Sequence, residues 1–255
     1  MLSIIGGSGL GRFPDLVIER REVVRTPYGA PSAALIFGRL AEAPVVFLAR
    51  HGLAHTIPPH RINYRANLWA LREAEVEQVL AIATVGGIHA DLAPGHFAVP
   101  DQLIDYTWGR EMTYAEYGSE STVAHLDFSH PYCPTLRAHC LAALEAAGEH
   151  FMARGTYGVT QGPRLETPAE IERMARDGVD MVGMTGMPEA YLAHELGLCY
   201  ATLAASVNWA AGRGGLDEIR MEAIAEIQVG LVARMPAVLT DIIRRLGENN
   251  GLSQA

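Results

Sequence analysis

The chain opens with L-S-I-I-G-G-S-G at residues 2–9, a short apolar run followed by a cluster of glycines around one serine. A buried strand that ends in a glycine-rich turn is typical of an α/β protein whose first loop faces a ligand. Several of the apolar runs that follow are continuous rather than alternating, which predicts strands buried on both faces of a sheet.

Working outward from this segment, apolar runs and helical periodicity alternate along the chain. Strands are predicted at residues 2–5, 33–37, 45–49, 78–85, 96–99, 152–159, 179–182 and 199–207. Helices are predicted between and after them, at residues 66–74, 135–147, 168–177, 188–196 and from about 217 to 246. Repeated strand–helix units predict a single α/β domain with a mixed, largely parallel central sheet flanked by helices.

We expect this domain to span residues 1–248 and the polar tail 249–255 to be frayed. Residues 106–134 show no clear period and are expected to form a long loop, a type of segment that is often functional.

The formal net charge of −9 argues against sequence-independent binding to nucleic acid or to an anionic membrane. No apolar run approaches the roughly 20 residues that cross a bilayer, and the opening segment lacks the basic and cleavage regions of a leader. We therefore expect a cytoplasmic protein without a membrane partner.

All 20 basic residues are arginine, so chemistry that needs a lysine is excluded. A Walker A phosphate loop, a pyridoxal phosphate enzyme and a Schiff-base aldolase each require one. Cys133, Cys140 and Cys199 form an odd set without metal-ligand spacing, so we expect free thiols and neither a disulfide nor a zinc site.

The glycines after the first strand also suggest two other motifs, and both fail. A dinucleotide-binding turn needs a glycine where Arg12 stands, and Pro14 follows without a helical run. A serine nucleophile elbow needs a glycine where Leu10 stands. Ser8 is therefore better interpreted as a hydrogen-bond donor to phosphate.

Seven motifs in order give the chain a resemblance to the trimeric purine nucleoside phosphorylase and methylthioadenosine phosphorylase family, over nearly its whole length. They are I-I-G-G-S-G-L (4–10), R-H-G (50–52), H-R-I-N-Y-R-A-N-L-W-A-L (60–71), V-G-G-I (85–88), G-P-R-L-E-T-P-A-E (162–170), M-V-G-M-T-G-M-P-E (181–189) and A-S-V-N (205–208). The resemblance implies the nucleoside phosphorylase fold.

The resemblance places Ser8, Arg50 and His51 around a phosphate. Hydroxyl and guanidinium donors on glycine-flanked loops suit such an oxyanion. Taken singly, Arg50 could instead form a surface ion pair and His51 could be a structural histidine. Ala83 stands where methylthioadenosine enzymes have a threonine ligand, so the Thr84 hydroxyl or a neighbouring backbone amide is expected to substitute.

The resemblance also assigns Glu166 and Asn208 to the purine, at positions where 6-oxopurine enzymes carry these residue types. Hypoxanthine has a hydrogen on N1 and an acceptor at O6, so a carboxylate can accept from N1 while an amide donates to O6 or N7. Adenine has no hydrogen on N1, and Ala210 replaces a second aspartate of the methylthioadenosine enzymes. The alternative for Glu166 is that it caps the helix that begins near Thr167.

For the sugar, the resemblance implies contacts from Leu165, Met184 and Thr185, and from Met221 at the 5' substituent. The alternative for Met184 and Met221 is that they are core residues. His125 matches a family histidine that reaches the 5' pocket of a neighbouring subunit, which implies a homotrimer.

The activity implied is phosphorolysis of a 6-oxopurine nucleoside such as S-methyl-5'-thioinosine, without metal or organic cofactor and with inorganic phosphate as co-substrate. A methylthioadenosine phosphorylase, a general inosine or guanosine phosphorylase, and a purine nucleoside sensor without catalysis remain the alternatives.

Overall fold

The computed structural model describes residues 1–6, 16–115, 125–215 and 218–252, with side chains described through residue 248. A mixed sheet forms its centre. The strands are β1 (Leu2–Gly6), β2 (Val17–Glu22), β3 (Leu35–Leu40), β4 (Ala43–Ala49), β5 (Gln78–Gly87), β6 (Phe97–Ala98), β7 (Gln102–Asp105), β8 (Phe151–Met152), β9 (Thr156–Val159), β10 (Met181–Gly183) and β11 (Cys199–Trp209).

Five helices flank the sheet. They are α1 (Tyr64–Glu73), α2 (Pro134–Ala146), α3 (Pro168–Arg176), α4 (Glu189–Glu195) and α5 (Met221–Leu252), with a 3-10 turn at Pro59–Arg61 before α1. The predicted strands and helices are present with shifted ends, except that the single strand predicted at residues 152–159 is two strands, β8 and β9. The expected fold class, a single α/β domain with a mixed, largely parallel sheet, is confirmed.

The sheet has the order β2-β3-β4-β1-β5-β10-β9-β7, and β11 branches from β5 to reach β6 and β8. Strands β4, β1, β5 and β11 run parallel to one another, so their carboxyl ends meet at one edge. Ligands of open α/β sheets bind at that edge. The strand order therefore brings together the residues that end β4, β5 and β11.

The first strand is buried on both faces, as its continuous apolar sequence predicts. Ile4 packs into a core that contains α2 and α5, whereas Ile5 packs into a second core with α1 and α4. Both side chains are almost fully buried. Successive strand residues point to opposite faces, so one short segment anchors helices on both sides of the sheet.

Helix α5 extends six residues past its predicted end, to Leu252. It is long and apolar enough to cross a membrane by length and composition. However, its buried residues follow the spacing of one helical face that packs on the sheet and on α2: Leu231, Met235, Val238, Leu239, Ile242, Ile243 and Leu246. We therefore describe α5 as an amphipathic helix that packs on the domain through one face.

Two strands escaped the sequence analysis. All six residues of β2 are exposed, and β2 forms the edge of the sheet beside β3. Four of those six are charged, so no apolar pattern marks the strand. Strand β7 has only four residues, which is too short for a recognisable alternation.

The expectation of free thiols at all three cysteines is wrong. Cys133 and Cys199 form a disulfide across a sequence separation of 66 residues, and only Cys140 is a free, buried thiol. Cys133 caps α2 and Cys199 begins β11, and the backbone amide of Cys133 donates to the carbonyl of Tyr200. The pairing depends on this tertiary contact and leaves no trace in the spacing.

Removing the disulfide with the double substitution Cys133→Ser and Cys199→Ser should lower the free energy of unfolding by about 2 to 4 kcal/mol, because a long loop of the unfolded chain is no longer closed. Urea unfolding with and without reductant measures this. Reductant should destabilise the wild type and leave the double variant unchanged. Three reactive thiols in wild type unfolded without reductant would contradict the bond.

Candidate active site

A cavity of about 470 Å³ opens where β4, β5 and β11 end. This is a usual size for a small-molecule site. Nine of the eleven residues singled out in the sequence line it: Arg50, His51, Thr84, Leu165, Glu166, Met184, Thr185, Asn208 and Met221. Ser8 lies outside the described residues, so its assignment stays a prediction. His125 is exposed and is not part of this lining.

Arg50, which directly follows β4, is fixed by a buried carboxylate. Its Nε donates to Oε2 of Glu189 at 2.7 Å, and its Nη2 donates to Oε1 at 3.2 Å. The two side chains are 1% and 0% exposed. The alternative of a surface ion pair is therefore wrong, since the pair is buried in the wall of the cavity.

The remaining donors of Arg50 reach other walls of the cavity. Its Nη1 donates to Oγ1 of Thr185 at 3.2 Å, and both Nη atoms lie 3.3 Å from the carbonyl of Ile82. Burial by itself would lower the pKa of Arg50, but the charge of Glu189 more than offsets this, and the pKa is raised. The guanidinium is thus a permanently charged, rigid hydrogen-bond donor.

His51 is held in one orientation and one protonation state. Its Nδ1 donates to the carbonyl of Ile57 at 2.8 Å, because a carbonyl can only accept. Burial, together with the nearby charge of Arg50, lowers the pKa of His51 to about 4. The ring is therefore neutral at pH 7, and its Nε2 is left as an acceptor.

Glu166 and Asn208 lie in the lining of the same cavity. Glu166 does not cap α3: the helix is capped by Thr167, which forms a reciprocal capping box with Glu170. The capping alternative is therefore wrong. Instead, Oε1 of Glu166 accepts a hydrogen bond of 2.6 Å from Oγ1 of Thr160.

Asn208 lies at an irregularity near the end of β11. The pairing with β5 shifts between Ser206 and Asn208, and the side-chain Nδ2 donates to the carbonyl of Trp209 at 2.7 Å. An amide has two N–H groups and one oxygen, so one N–H and the oxygen are still available to a ligand. Bulges of this kind re-aim side chains at functional sites.

The residues predicted to contact the sugar also line the cavity. Met221 begins α5 and its side chain is 62% exposed, so the alternative of a core residue is wrong for it. Met184 packs against Gly162, whose positive φ of 63° and missing side chain leave room for the thioether.

Arg110 is the main functional residue that the sequence analysis missed. Its guanidinium donates to the carbonyls of Thr160, Gln161, Met184 and Met187 and to Oε1 of Gln161. It thereby joins the segment after β9 to the segment after β10. These partners are 50 to 77 residues away in sequence, so only the unusual composition of the long loop hinted at them.

The substitution Glu189→Gln should lower the free energy of unfolding by about 3 to 5 kcal/mol, because it leaves the Arg50 charge buried and uncompensated. Denaturant unfolding measures this. The matched control is Glu172→Gln, which removes exposed ion pairs with Arg213 and Arg176 and should cost less than about 1 kcal/mol. Equal losses in the two variants would contradict the structural role of the buried pair.

Acid should destabilise the protein through His51. Its pKa is about 4 in the folded state and 6.5 ordinarily, so the unfolded state binds the proton more readily between these values. The free energy of unfolding should therefore fall by about 1 to 3 kcal/mol from pH 6.5 to pH 4, on account of this residue. Urea unfolding at several pH values should show a smaller fall for His51→Gln. The exposed His130→Gln should retain the wild-type slope.

The comparisons with known proteins agree with one another. The sequence pattern of the Phosphorylase superfamily matches residues 2–244. A protein of Xanthomonas campestris pv. campestris named "Probable S-methyl-5'-thioinosine phosphorylase" is 49% identical, over 95% of this chain and 97% of that protein. The "6-oxopurine nucleoside phosphorylase" of Pyrococcus furiosus is 45% identical, over 89% and 86%.

Among solved structures, the methylthioadenosine phosphorylase of Schistosoma mansoni in complex with adenine superposes with a TM-score of 0.92 at 30% identity, covering 97% of this chain and 92% of that one. The similarity of fold and the full-length sequence similarity thus point the same way, and the chain belongs to the Phosphorylase superfamily.

Proposed function

We propose that the chain catalyses the phosphorolysis of a 6-oxopurine nucleoside, with S-methyl-5'-thioinosine as its preferred substrate. The observation that carries this proposal is the pairing of Glu166 with Asn208 in the same cavity as the Arg50 guanidinium. The cavity offers a carboxylate and an amide for a base. It also offers the positive charge of the buried Arg50, whose Nη groups can exchange their 3.3 Å contacts with the Ile82 carbonyl for an oxyanion.

The carboxylate of Glu166 and the amide of Asn208 match the hydrogen-bonding groups of hypoxanthine. Since Oε1 of Glu166 is already bonded to Thr160, the second oxygen can accept the hydrogen on N1 of the purine. The free N–H of Asn208 can donate to O6 or N7. Adenine has no hydrogen on N1, so the carboxylate would meet an acceptor, and a buried mismatch of this kind costs about 1 to 3 kcal/mol or more.

In the proposed reaction, an oxygen of inorganic phosphate attacks C1' of the sugar while the bond from C1' to the purine breaks. The products are 5-methylthioribose 1-phosphate and the purine anion, which becomes hypoxanthine by taking up the proton that the phosphate loses, directly or through solvent. Arg50 and Ser8 hold the phosphate in line, and the neutral His51 accepts the hydrogen of a protonated phosphate oxygen at Nε2. Thr84 or neighbouring backbone amides take the place of the hydroxyl that Ala83 lacks. Glu166 and Asn208 stabilise charge on the departing base. No step is assigned to a metal or an organic cofactor.

The 5' end favours an apolar substituent. Met221, Ile219 and Ile224 contribute the first turn of α5 and the residues before it to the cavity, and all three side chains are apolar. A methylthio group would gain from burial against these side chains, whereas none of the three can bond a 5' hydroxyl. Gln228, one turn further along α5, is the polar residue of this helix that also lines the cavity.

The proposal includes a homotrimer in the cytoplasm. His125 is exposed and does not line the cavity of its own chain. This fits the family arrangement in which that histidine completes the 5' pocket of a neighbouring subunit.

A methylthioadenosine phosphorylase is the second candidate, and the similarity to the Schistosoma mansoni enzyme favours it. Ala210 argues against it, because the carboxylate that the methylthioadenosine enzymes use at that position is absent from this chain.

The experiment is a panel of methylthioinosine, inosine and methylthioadenosine, each with and without phosphate. Free hypoxanthine should appear only with phosphate, and methylthioinosine should exceed inosine by roughly 30- to 1000-fold in kcat/KM, with Met221→His reducing that ratio. Preference for methylthioadenosine would contradict the base assignment. Equal use of methylthioinosine and inosine would indicate a general 6-oxopurine enzyme, and binding without base release would indicate a sensor.

A further inference from the structure

We propose that Thr160 is a positioning residue that selects the base through Glu166. This rests on the proposed function and deepens it: the hydroxyl of Thr160 holds one oxygen of the Glu166 carboxylate, so that the other serves as the acceptor for the hydrogen on N1 of a 6-oxopurine. None of the sequence motifs marked Thr160, which lies one residue beyond β9.

Thr160 is itself rigidly held. Its backbone N–H donates to the carbonyl of Gly183 at 2.8 Å, and its own carbonyl accepts from Arg110 at 3.1 Å. The side chain is nearly buried, at 8% exposure for the residue. The Thr160 hydroxyl is therefore held in place by the backbone and can orient the side chain of Glu166.

The hydroxyl has one hydrogen and two acceptors within reach. Oε1 of Glu166 lies at 2.6 Å and the carbonyl of Gly183 at 3.3 Å. The shorter contact, to a charged acceptor, is the stronger one. Among the described residues no other hydrogen bond to the Glu166 carboxylate is present, so Thr160 supplies the hydrogen bond that orients it.

Without this hydrogen bond, the Glu166 carboxylate could turn toward a second cavity. Glu166 also lines a second cavity of about 310 Å³, and Arg164 and Arg173 are in the lining of that cavity. Both guanidinium groups already have a carboxylate partner, Glu170 for Arg164 and Asp177 for Arg173. The charge of Arg164 nevertheless also acts on the Glu166 carboxylate and favours its turning away from the purine side. Thr160 lines the second cavity but not the first, so its hydrogen bond holds Oε1 on that side. Glu166 lines both cavities, and Oε2 is the carboxylate oxygen that remains available to a purine in the first.

The consequence concerns specificity rather than general binding. A substrate with a hydrogen on N1 uses the oriented oxygen and depends on Thr160. An adenine nucleoside has no such hydrogen, gains nothing from that oxygen and should be indifferent to the hydroxyl. Thr160 therefore contributes to the ratio of kcat/KM between 6-oxopurine and adenine nucleosides.

The test compares Thr160→Val, which keeps the shape and removes the hydroxyl, with Thr160→Ser, which keeps the hydroxyl. Thr160→Val should lower kcat/KM for methylthioinosine by roughly tenfold and for methylthioadenosine by less than about threefold. Thr160→Ser should stay within about threefold of wild type for both. Thr160→Ala serves in the same way if the valine variant folds poorly, as judged by its Tm.

A double-mutant cycle separates positioning from packing. In a Glu166→Gln background, Thr160→Val should cause no further loss, because its effect is transmitted through the carboxylate. Equal losses on both nucleosides, or the same loss in the Glu166→Gln background, would overturn the proposal and leave Thr160 a packing residue.

Binding of free hypoxanthine and adenine by calorimetry gives a readout that does not need turnover. Thr160→Val should weaken hypoxanthine by roughly tenfold and leave adenine nearly unchanged. If wild type released no base with phosphate but this pattern held, the proposed reaction would fail and the role of Thr160 would stand. If wild-type turnover were normal but Thr160→Val did not weaken hypoxanthine selectively, the proposed reaction would stand and the role of Thr160 would fail.

Discussion

The rest of the site depends on the ion pair between Arg50 and Glu189. Replacing a buried ion pair by apolar residues is often neutral or stabilising, so what such a pair contributes is position more than stability. Here the guanidinium follows β4, the carboxylate begins α4, and Tyr200 on β11 donates to the same carboxylate at 2.9 Å. Thr185 is drawn to the other side of the guanidinium. Strands and a helix that are distant in sequence are thus fixed around one point, and the cavity is built beside it.

Features that depend on neighbouring residues in the chain could be predicted from the sequence. Continuous apolar runs predicted most of the strands, and the adjacency of Arg50 and His51 at a strand end predicted their shared cavity. Features that depend on tertiary pairing were missed or misjudged, because nothing in the spacing encodes them: the carboxylate of Glu189, the hub at Arg110 and the bond between Cys133 and Cys199. Charged edge strands escape for a related reason, since a strand without a buried face has no apolar period.

The backbone similarity to a methylthioadenosine enzyme implies that base choice lies in side chains and their aim, not in the fold. The irregular pairing of β11 with β5 sets the aim of Asn208. Gly86 opposite it permits this, because a side chain there would begin only 3.3 Å from the amide nitrogen of Asn208. Base choice thus depends on the aim of Asn208, set by the irregularity in β11 and by Gly86, and on the Glu166 carboxylate, which Thr160 orients.

The bond between Cys133 and Cys199 has a topological consequence. It closes residues 133–199 into a covalent ring, with the two ends of the chain emerging as tails. Thr160, Glu166 and Glu189 lie on the ring, whereas Arg50 and Asn208 lie on opposite tails. A protease that cut the backbone once between residues 134 and 198 would open the ring without releasing a fragment. Both tails would stay attached to one covalent molecule until a reductant divided it in two.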